Sequence, residues 1–406
     1  MIAATYLKVK TKTILSNALA NCALVFAARV AFATAANATP PDSQLAESET
    51  EPLGVPNVIF STDMWGDIDD ALALAMLNAL QDRHEIKLVG ITVSNDDKWC
   101  APYIDLVDTF YGHPDIPVGM VHGGVNYERT FPKQRAGLAN YTRLLSDMKK
   151  PDGTWVYPHQ LTDGTNAPEA VRSLRKTLAQ QPDHSVVVIQ TGYSTNLARL
   201  LRSTGDDSSN LSGHDLILKK VRLLSVMAGN FSDGKDGGSP EENLKMDVPS
   251  AQILFSEWPT PVVASGSEIG AAILYPAYSI EHDFSYVQNH PIAETYRSFA
   301  LKSIDSSGSE MVVMGWPHDH PTFDLTSVLY AARPDRDYFS LSEPGRITVL
   351  PGGRSKFEKL KGGAHRYLIL DNAQKARTLE AMTMLTSQPP KTGPHPPITV
   401  AKDSAR

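Results

Sequence analysis

The stretch that decides the fold is residues 58–74, VIFSTDMWGDIDDALAL. An apolar, β-branched run ends in four acidic residues within eight positions, and an alanine- and leucine-rich segment follows at once. In a parallel α/β sheet, ligands bind at the carboxyl ends of the strands. The stretch therefore predicts a strand, a ligand-binding sheet edge and a helix. Four carboxylates would meet at that edge, from Asp63, Asp67, Asp69 and Asp70.

Carboxylates packed this closely repel one another, and each raises the pKa of its neighbours. A hard divalent cation removes the repulsion, and Ca²⁺ is the natural occupant because it accepts several carboxylates in flexible geometry. The alternative is an acid-rich helix start, since aspartate is favoured at N-caps and in first turns. Four carboxylates exceed what capping requires, so the pattern favours a metal site. Asp67 alone suits either a helix cap or a position just outside the metal ligands.

The first 38 residues differ from the rest of the chain. They begin with a basic segment that contains Lys8, Lys10 and Lys12. Residues 14–32 are mostly apolar, and residues 33–38 are small. This order is typical of a cleaved secretory signal peptide, so we expect an exported protein, periplasmic or extracellular. A transmembrane anchor is the less favoured alternative. The apolar span is interrupted by Asn17, Asn21 and Arg29.

The composition, 42% hydrophobic and 20% charged, is ordinary for a globular protein. The formal net charge is −7, and loss of residues 1–38, which hold four basic and no acidic residues, changes it to −11. No basic stripe points to a nucleic-acid partner. After cleavage we expect no membrane association. Cys100 is then the one remaining cysteine, so the sequence predicts no disulfide framework.

From residue 55 the pattern alternates between strand and helix, which predicts right-handed βαβ units in a parallel sheet. We expect strands at 58–61, 86–93, 116–120, 185–190, 221–227 and 261–264. We expect helices at 68–80, 99–111, 167–180, 196–201, 248–257, 292–304, 325–332 and 372–385. The fold class is thus α/β, a Rossmann-like open, mostly parallel sheet flanked by helices.

The predicted domain organisation has five parts. The signal peptide is followed by a polar linker at 39–54 and by the main α/β domain at 55–335. A β-rich extension of the same domain, with short strands at 346–349 and 367–370, covers 336–387, and a loose, proline-rich tail covers 388–406. Within the main domain, the loop-rich segment 126–166 suits either a lid or a subunit contact.

Residues 61–71, STDMWGDIDDA, resemble the opening motif of the inosine–uridine-preferring nucleoside hydrolase family. That motif is Asp-x-Asp-x-Gly-x-Asp-Asp, and a divergent branch carries a form two residues longer, close to the one here. Further blocks follow in the family's order, so the resemblance covers roughly residues 55–332 and is far more specific than any one block. These blocks are VGITVSN at 89–95, IQTGYSTNLA at 189–198, EENLKMD at 241–247 and FDL at 323–325.

The resemblance implies a nucleoside hydrolase fold and cleavage of an N-glycosidic bond through an oxocarbenium-like transition state. It implies a Ca²⁺ site with room left for a water and two sugar hydroxyls. The implied ligands are Asp63, Asp70, Asp324 and the Thr191 carbonyl oxygen. Asp69 would be the base that deprotonates the attacking water. The implied contacts to the substrate come from Asn95, Asn230, Glu241, Asn243 and Phe323, and relatives form homodimers or homotetramers.

Three departures from the family pattern bear on this prediction. Ser61 replaces the first aspartate, and Trp65 replaces a glycine, so its side chain either fills the pocket rim or shifts the turn. Phe323 stands where family members carry a histidine that assists the leaving base. His318 and His320 are candidates for that acid, with a surface or packing role as the alternative.

Three other functions compete with this one. An aspartate-nucleophile phosphotransferase needs an aspartate at Ser61 and is excluded. A sugar- or nucleoside-binding protein without turnover stays open, but Asp69 argues against it, because a carboxylate beside metal ligands is costly without a chemical role. Hydrolysis of another ribosyl or glycosyl compound also stays open, since the leaving-group side differs from the family pattern.

Overall fold

The computed structural model describes residues 54–65, 67–130, 140–232, 238–304, 310–315 and 317–391. The predicted signal peptide, nearly all of the linker and most of the tail lie outside these residues. The domain boundaries and export remain predictions. Among the described helices, none combines the length and the apolar character needed to cross a membrane.

Fourteen strands are found within the described residues. They are β1 (Asn57–Thr62), β2 (Lys87–Val93), β3 (Val118–Met120), β4 (Val186–Gln190), β5 (Val221–Met227), β6 (Val262–Ser265), β7 (Leu274–Tyr275), β8 (Ala300–Ile304), β9 (Glu310–Gly315), β10 (His320–Pro321), β11 (Ser340–Leu341), β12 (Gly345–Leu350), β13 (Arg354–Lys359) and β14 (His365–Ile369). Ten of them form one sheet in the order β13-β12-β14-β6-β5-β4-β1-β2-β3, with β11 beside β14.

The described α-helices surround this sheet. They are α1 (Asp69–Asp82), α2 (Cys100–Phe110), α3 (Tyr127–Thr130), α4 (Tyr141–Ser146), α5 (Ala170–Ala179), α6 (Thr195–Leu201), α7 (Gly213–Lys220), α8 (Glu242–Met246), α9 (Val248–Glu257), α10 (Ser267–Ala272), α11 (Ala277–His282), α12 (Pro291–Ser298), α13 (Phe323–Ala332) and α14 (Asn372–Thr386). Short 3₁₀ turns occur at Gly164–Asn166 and Pro334–Arg336.

The parallel part of the sheet positions the functional site. Strand β1 lies in its middle, hydrogen-bonded in parallel to β2 on one side and to β4 on the other. Strands β5 and β6 continue the parallel order beyond β4. The residues that follow β1, β4 and β5 therefore meet at one edge, as expected for the carboxyl ends of parallel strands. The C-terminal strand β14 joins the same sheet, parallel to β6.

Helix α1 fixes the acidic motif against the core. All of its residues except Gln81 are buried, which explains why alanine and leucine occupy its whole circumference and not one face. It packs against α13 and α14. Because the helix begins at Asp69, its first two residues are acidic, as the positive end of a helix favours.

Two sequence expectations need correction. The predicted helix 292–304 ends at Ser298, and residues 300–304 form β8, which pairs antiparallel with β9. The partner strand is close in sequence, at Glu310–Gly315, so strand pairing overrides the local helical pattern. The sequence expectations also omitted α7, which Ser212 caps by accepting a hydrogen bond from the Asp215 backbone N–H.

Candidate active site

A cavity of about 240 Å³ opens at the carboxyl ends of β1, β4 and β5. Eight of the residues predicted to act in the site line it. They are Asp63, Asp69, Asp70, Thr191, Glu241, Asn243, Phe323 and Asp324. The sequence therefore predicted most of the polar residues that line the cavity, although they are spread over more than 260 positions of the chain.

The turn after β1 carries Asp63 into the cavity and is built with an unusual backbone. Trp65 has a φ of 87°, in the left-handed region that glycine normally occupies. The Tyr141 hydroxyl accepts a hydrogen bond from the Trp65 N–H at 2.8 Å and donates one to the Asp67 carbonyl oxygen at 2.8 Å. These bonds hold the turn in shape. The Trp65 ring is buried in the core, edge-on to Tyr127, and does not line the cavity.

Two glycines allow neighbouring backbone segments to pack closely around the cavity. A Cβ at Gly192 would lie 2.3 Å from the Asp63 backbone nitrogen, and one at Gly270 would lie 2.4 Å from the Phe323 Cα. Glycine at both positions lets the β4 loop and α10 approach the site. Helix α13 can then place Asp324 in the cavity, where its backbone N–H donates to Asp69 Oδ2 at 2.9 Å.

The carboxyl groups of the cavity are buried and electrostatically strained. Burial, together with neighbouring carboxylates, raises the pKa of Asp63 and of Asp69 to about 7. The same causes raise the pKa values of Asp70 and Asp324 well above their usual range. Asp70 also accepts a hydrogen bond from the Thr62 hydroxyl, and Asp70 and Asp324 are hydrogen-bonded to each other.

These donors fit a hard divalent cation. All are oxygen atoms, they are held by β1, α1 and α13, and their repulsion is what a bound cation would relieve. The arrangement thus suits the predicted calcium ligands Asp63, Asp70 and Asp324, with the Thr191 carbonyl beside them.

Glu241 and Asn243 line the same cavity as the aspartates. Glu241 caps α8 by accepting hydrogen bonds from the backbone N–H groups of Asn243 and Leu244, at 2.8 and 3.1 Å. Burial nevertheless raises its pKa to about 7. The Asn243 amide donates to the Thr191 carbonyl oxygen at 2.8 Å. Both side chains are thus fixed in place and present polar atoms to the cavity.

Two predicted substrate contacts, Asn95 and Asn230, are not among the described residues that line the cavity. The fully buried Asn95 side chain donates to the Met64 carbonyl oxygen at 3.3 Å and accepts from the Tyr127 N–H at 3.1 Å. The Asn230 amide donates to the Ser267 hydroxyl at 3.1 Å. Tyr127 and Ser267 themselves line the cavity. The structure therefore gives Asn95 and Asn230 the geometry of positioning residues.

Sequence reasoning missed several lining residues, including Tyr127 and Ser267. Tyr127 lies in the loop-rich segment, where no pattern marks a side chain that faces the site. Ser267 follows β6 as the first residue of α10. A search of every strand end for small polar residues would have found Ser267.

His318 and His320 reach the cavity through Asp67. The His318 Nε2 and His320 Nδ1 atoms lie 3.0 Å apart, and His320 Nε2 lies 2.9 Å from Asp67 Oδ1. Burial opposes a charge on His320, but the Asp67 carboxylate outweighs it and raises the His320 pKa. Ligand atoms of Asp67, Asp69 and His320 all lie within 4.8 Å of one another, close enough to hold a metal ion. Neither histidine lines the cavity directly, whereas Asp67 does.

Known proteins resemble this chain in sequence and in fold. The profile of the inosine-uridine preferring nucleoside hydrolase family matches residues 58–384. The pyrimidine-specific ribonucleoside hydrolase RihA of Citrobacter koseri is 26% identical over 212 residues, which cover 50% of this chain and 57% of the length of that relative.

Solved structures share the fold. An inosine-uridine preferring nucleoside hydrolase from Bacillus anthracis superposes with a TM-score of 0.56 at 15% identity, covering 82% of this chain and 99% of its own. A purine-preferring ribonucleoside hydrolase from Gardnerella vaginalis gives 0.57 at 16% identity, with coverages of 82% and 99%. The resemblance and the α/β fold class predicted from the sequence are confirmed. The chain belongs to the inosine-uridine preferring nucleoside hydrolase family, a family of metal-dependent N-glycosyl hydrolases.

Proposed function

We propose that the protein hydrolyses the N-glycosidic bond of a ribonucleoside with the help of Ca²⁺. The observation that carries the proposal is the convergence of four buried aspartates with Glu241 and Asn243 in one cavity. Four acids provide for cation binding and for general base catalysis. Glu241 and Asn243 would recognise the sugar hydroxyls.

Asp63, Asp70, Asp324 and the Thr191 carbonyl would hold the Ca²⁺. When bound, the cation lowers the pKa of a coordinated water and neutralises the surrounding carboxylates. The other contributions come from the chain itself. Asp70 is oriented by the Thr62 hydroxyl, and Asn243 fixes the Thr191 carbonyl by a hydrogen bond.

Asp69 is the proposed general base. Its carboxylate is held by the Asp324 backbone N–H and faces the cavity. It takes a proton from water as the water oxygen bonds to the anomeric carbon, while the bond from that carbon to the base nitrogen breaks. Positive charge develops on the sugar ring during this step, and the carboxylates around the ring stabilise it electrostatically. Glu241 and Asn243 would hold the sugar hydroxyls.

The leaving base needs a proton, and Phe323 cannot supply one. We propose that Phe323, Tyr127 and Met227 form the contact surface for the base, since they are the large apolar side chains of the cavity wall. The proton would come from the hydrogen-bonded chain of His318, His320 and Asp67, which meets the cavity at Asp67.

The test is release of reducing sugar by the purified full chain. The panel should contain purine and pyrimidine ribonucleosides and one non-nucleoside riboside, each assayed with Ca²⁺, with a chelator and after Ca²⁺ is restored. We expect turnover of at least one nucleoside that the chelator abolishes and Ca²⁺ restores. Turnover of the riboside alone would redirect the proposal to another ribosyl substrate, and no turnover in the whole panel would refute it.

The Asp69→Asn variant tests the assignment of the base. General base catalysis typically contributes about 100- to 10,000-fold, so we expect a loss in that range with Ca²⁺ binding retained. The exposed Asp335→Asn change, in the 3₁₀ turn Pro334–Arg336, is the control and should leave kcat unchanged. Full activity in the Asp69→Asn variant would contradict the assignment.

We also propose export and self-association. Mass spectrometry of secreted or periplasmic protein should find the N-terminus close to residue 39 if the signal peptide is cleaved as expected. Light scattering should report a homodimer or homotetramer. An intact N-terminus in exported material, or a monomer at high concentration, would contradict the respective proposal.

A further inference from the structure

Beside the calcium ligands lies a group with different donor chemistry. Asp67, Asp69 and His320 each offer one ligand atom, and these atoms all lie within 4.8 Å of one another. We propose that they form a second cation site, distinct from the calcium ligands, that takes a borderline divalent cation such as Zn²⁺.

The donor set selects the cation. Ca²⁺ binds through oxygen atoms alone, whereas imidazole nitrogen together with carboxylate oxygen suits Zn²⁺ and its first-row neighbours. His320 Nε2 and Asp67 Oδ1 are 2.9 Å apart. A tetrahedral cation with bonds of about 2.0–2.2 Å places its ligand atoms about 3.3–3.6 Å apart, so these two atoms need to separate by only about 0.5 Å to hold it.

The three ligands are held in place before any cation arrives. His318 lies 3.0 Å from the second nitrogen of His320 and sets the direction of its ring, a role that outer partners play for metal-bound histidines. The Asp324 N–H fixes Asp69 at 2.9 Å. The His320 side chain is only 3% exposed, but that of Asp67 is 41% exposed. A cation could therefore enter from the cavity side, where water would complete its coordination.

One functional consequence rests on the proposed function. A cation at this site would occupy Asp69, the proposed base, and the Asp67–His320 contact through which the leaving base would be protonated. Zn²⁺ should then inhibit hydrolysis. Extra Ca²⁺ should not relieve the inhibition, because the two cations use different ligands.

The binding test is a titration of the purified full chain in saturating Ca²⁺. Zn²⁺ is followed by calorimetry, and Co²⁺ by its visible absorption. We expect one equivalent of either cation to bind. Changes to outer partners of a metal site typically cost 10- to 100-fold in affinity, so His318→Gln should weaken binding by about that factor and His320→Gln or Asp67→Asn by at least about 100-fold.

The controls distinguish binding at this site from binding elsewhere on the protein. His214 lies 3.2 Å from Asp215 on α7 in an exposed His–Asp pair, so His214→Gln is a matched change that should leave binding unaltered. Asp67 is partly exposed, so Asp67→Asn should fold even if His320→Gln does not. Undiminished Zn²⁺ binding in Asp67→Asn, or displacement of Zn²⁺ by Ca²⁺, would overturn the proposal.

The inhibition test uses the same proteins. Micromolar Zn²⁺ should inhibit the wild type at every Ca²⁺ concentration, while whatever activity Asp67→Asn retains should resist Zn²⁺. Equal sensitivity of the two proteins would overturn the regulatory consequence. If the wild type hydrolyses nothing, the proposed function fails, but the binding titration still decides whether the second site exists.

Discussion

A cluster of buried acids and a single buried acid lie at the two ends of helix α1, and the charge of each is neutralised differently. At its N-terminal end, Asp63, Asp69, Asp70 and Asp324 meet in a cavity. Near its C-terminal end, Asp108 on α2 accepts a hydrogen bond from the Asn78 amide at 2.8 Å, with both side chains almost fully buried. Burial raises the pKa of Asp108 to about 8.

The difference lies in what can neutralise each group. Among the described residues, Asp108 Oδ2 and Asn78 Oδ1 have no hydrogen-bond partner. One proton on Asp108 removes its charge and offers a donor to Asn78. The cavity acids cannot be neutralised so simply, because each raises the pKa of the others and they face an open cavity. A lone buried carboxyl is compatible with a purely structural role, whereas a cluster open to solvent favours cation binding.

The largest effect on activity is expected for Asp324→Asn. The change keeps the size of the side chain but removes a proposed ligand, so turnover should fall at least about 100-fold, the scale of losing a preorganised electrostatic group. Ca²⁺ affinity, measured by calorimetry, should fall with it. Without Ca²⁺ the variant should be more stable than the wild type, because one repelling charge is gone. If this variant bound Ca²⁺ as tightly as the wild type, Asp324 would not be a Ca²⁺ ligand and the proposed contrast with Asp108 would fail.

The second prediction concerns pH and Ca²⁺. The folded-state pKa values of Asp63, Asp69 and Glu241 are about 7, whereas their usual values are near 4. Between pH 4 and pH 7, these groups therefore bind more protons in the folded protein than in the unfolded chain. Without Ca²⁺, the contribution of these three groups to stability should be greatest below pH 4 and fall by at least about 1.4 kcal/mol per pH unit up to pH 7. Saturating Ca²⁺ should flatten this slope in urea unfolding. The same slope with and without Ca²⁺ would show that Ca²⁺ does not bind close to these acids.

The third prediction is that Asp108→Asn changes the pH dependence of stability without involving Ca²⁺, unlike a change among the cavity acids. An amide at this position needs no proton and can still bond to Asn78. The variant should match the wild type near pH 4 and become more stable by about 1.4 kcal/mol per pH unit toward pH 8, because Asp108 must be held protonated over that range. Urea unfolding with and without Ca²⁺ should give the same gain. A gain that depends on Ca²⁺ would mean that the two acid groups are coupled.

The smallest effect is the difference between two changes at Asp108. Asp108→Ala leaves the buried Asn78 amide without this partner, and such a loss costs about 1–3 kcal/mol. It should therefore be less stable than Asp108→Asn by that amount at every pH. Thermal unfolding of the two variants measures the difference directly. Equal stability would mean that the Asn78–Asp108 bond contributes nothing.

Local patterns were enough to predict much of the fold. Strand β5 and helix α9 begin and end where the sequence pattern predicts, at 221–227 and 248–257. Their residues carry consistent signals, an apolar run in one and an Asp247 cap with an early proline in the other. The β8–β9 pair could not be predicted, because a strand that depends on its partner has no complete local signal.

The site divides in a similar way. Asp63, Asp69 and Asp70 were predicted from one motif, and Asp324 came only from the family resemblance, since nothing local to it indicates where α13 packs. The contact between Asp67 and His320 joins residues 253 positions apart and could not be read from spacing. The substrate contact implied for Asn95 stays a prediction, and the structure fixes its side chain between Met64 and Tyr127.

The strained position of Trp65 has an optical consequence. Its indole is buried and lies 6.2 Å from the Tyr127 ring, and Tyr127 forms part of the cavity wall. A ligand that shifts Tyr127 would alter the surroundings of this indole and hence its fluorescence. The unlabelled protein therefore carries its own reporter of cavity occupancy, and comparison with a Trp65→Phe variant would isolate that signal from the other four tryptophans.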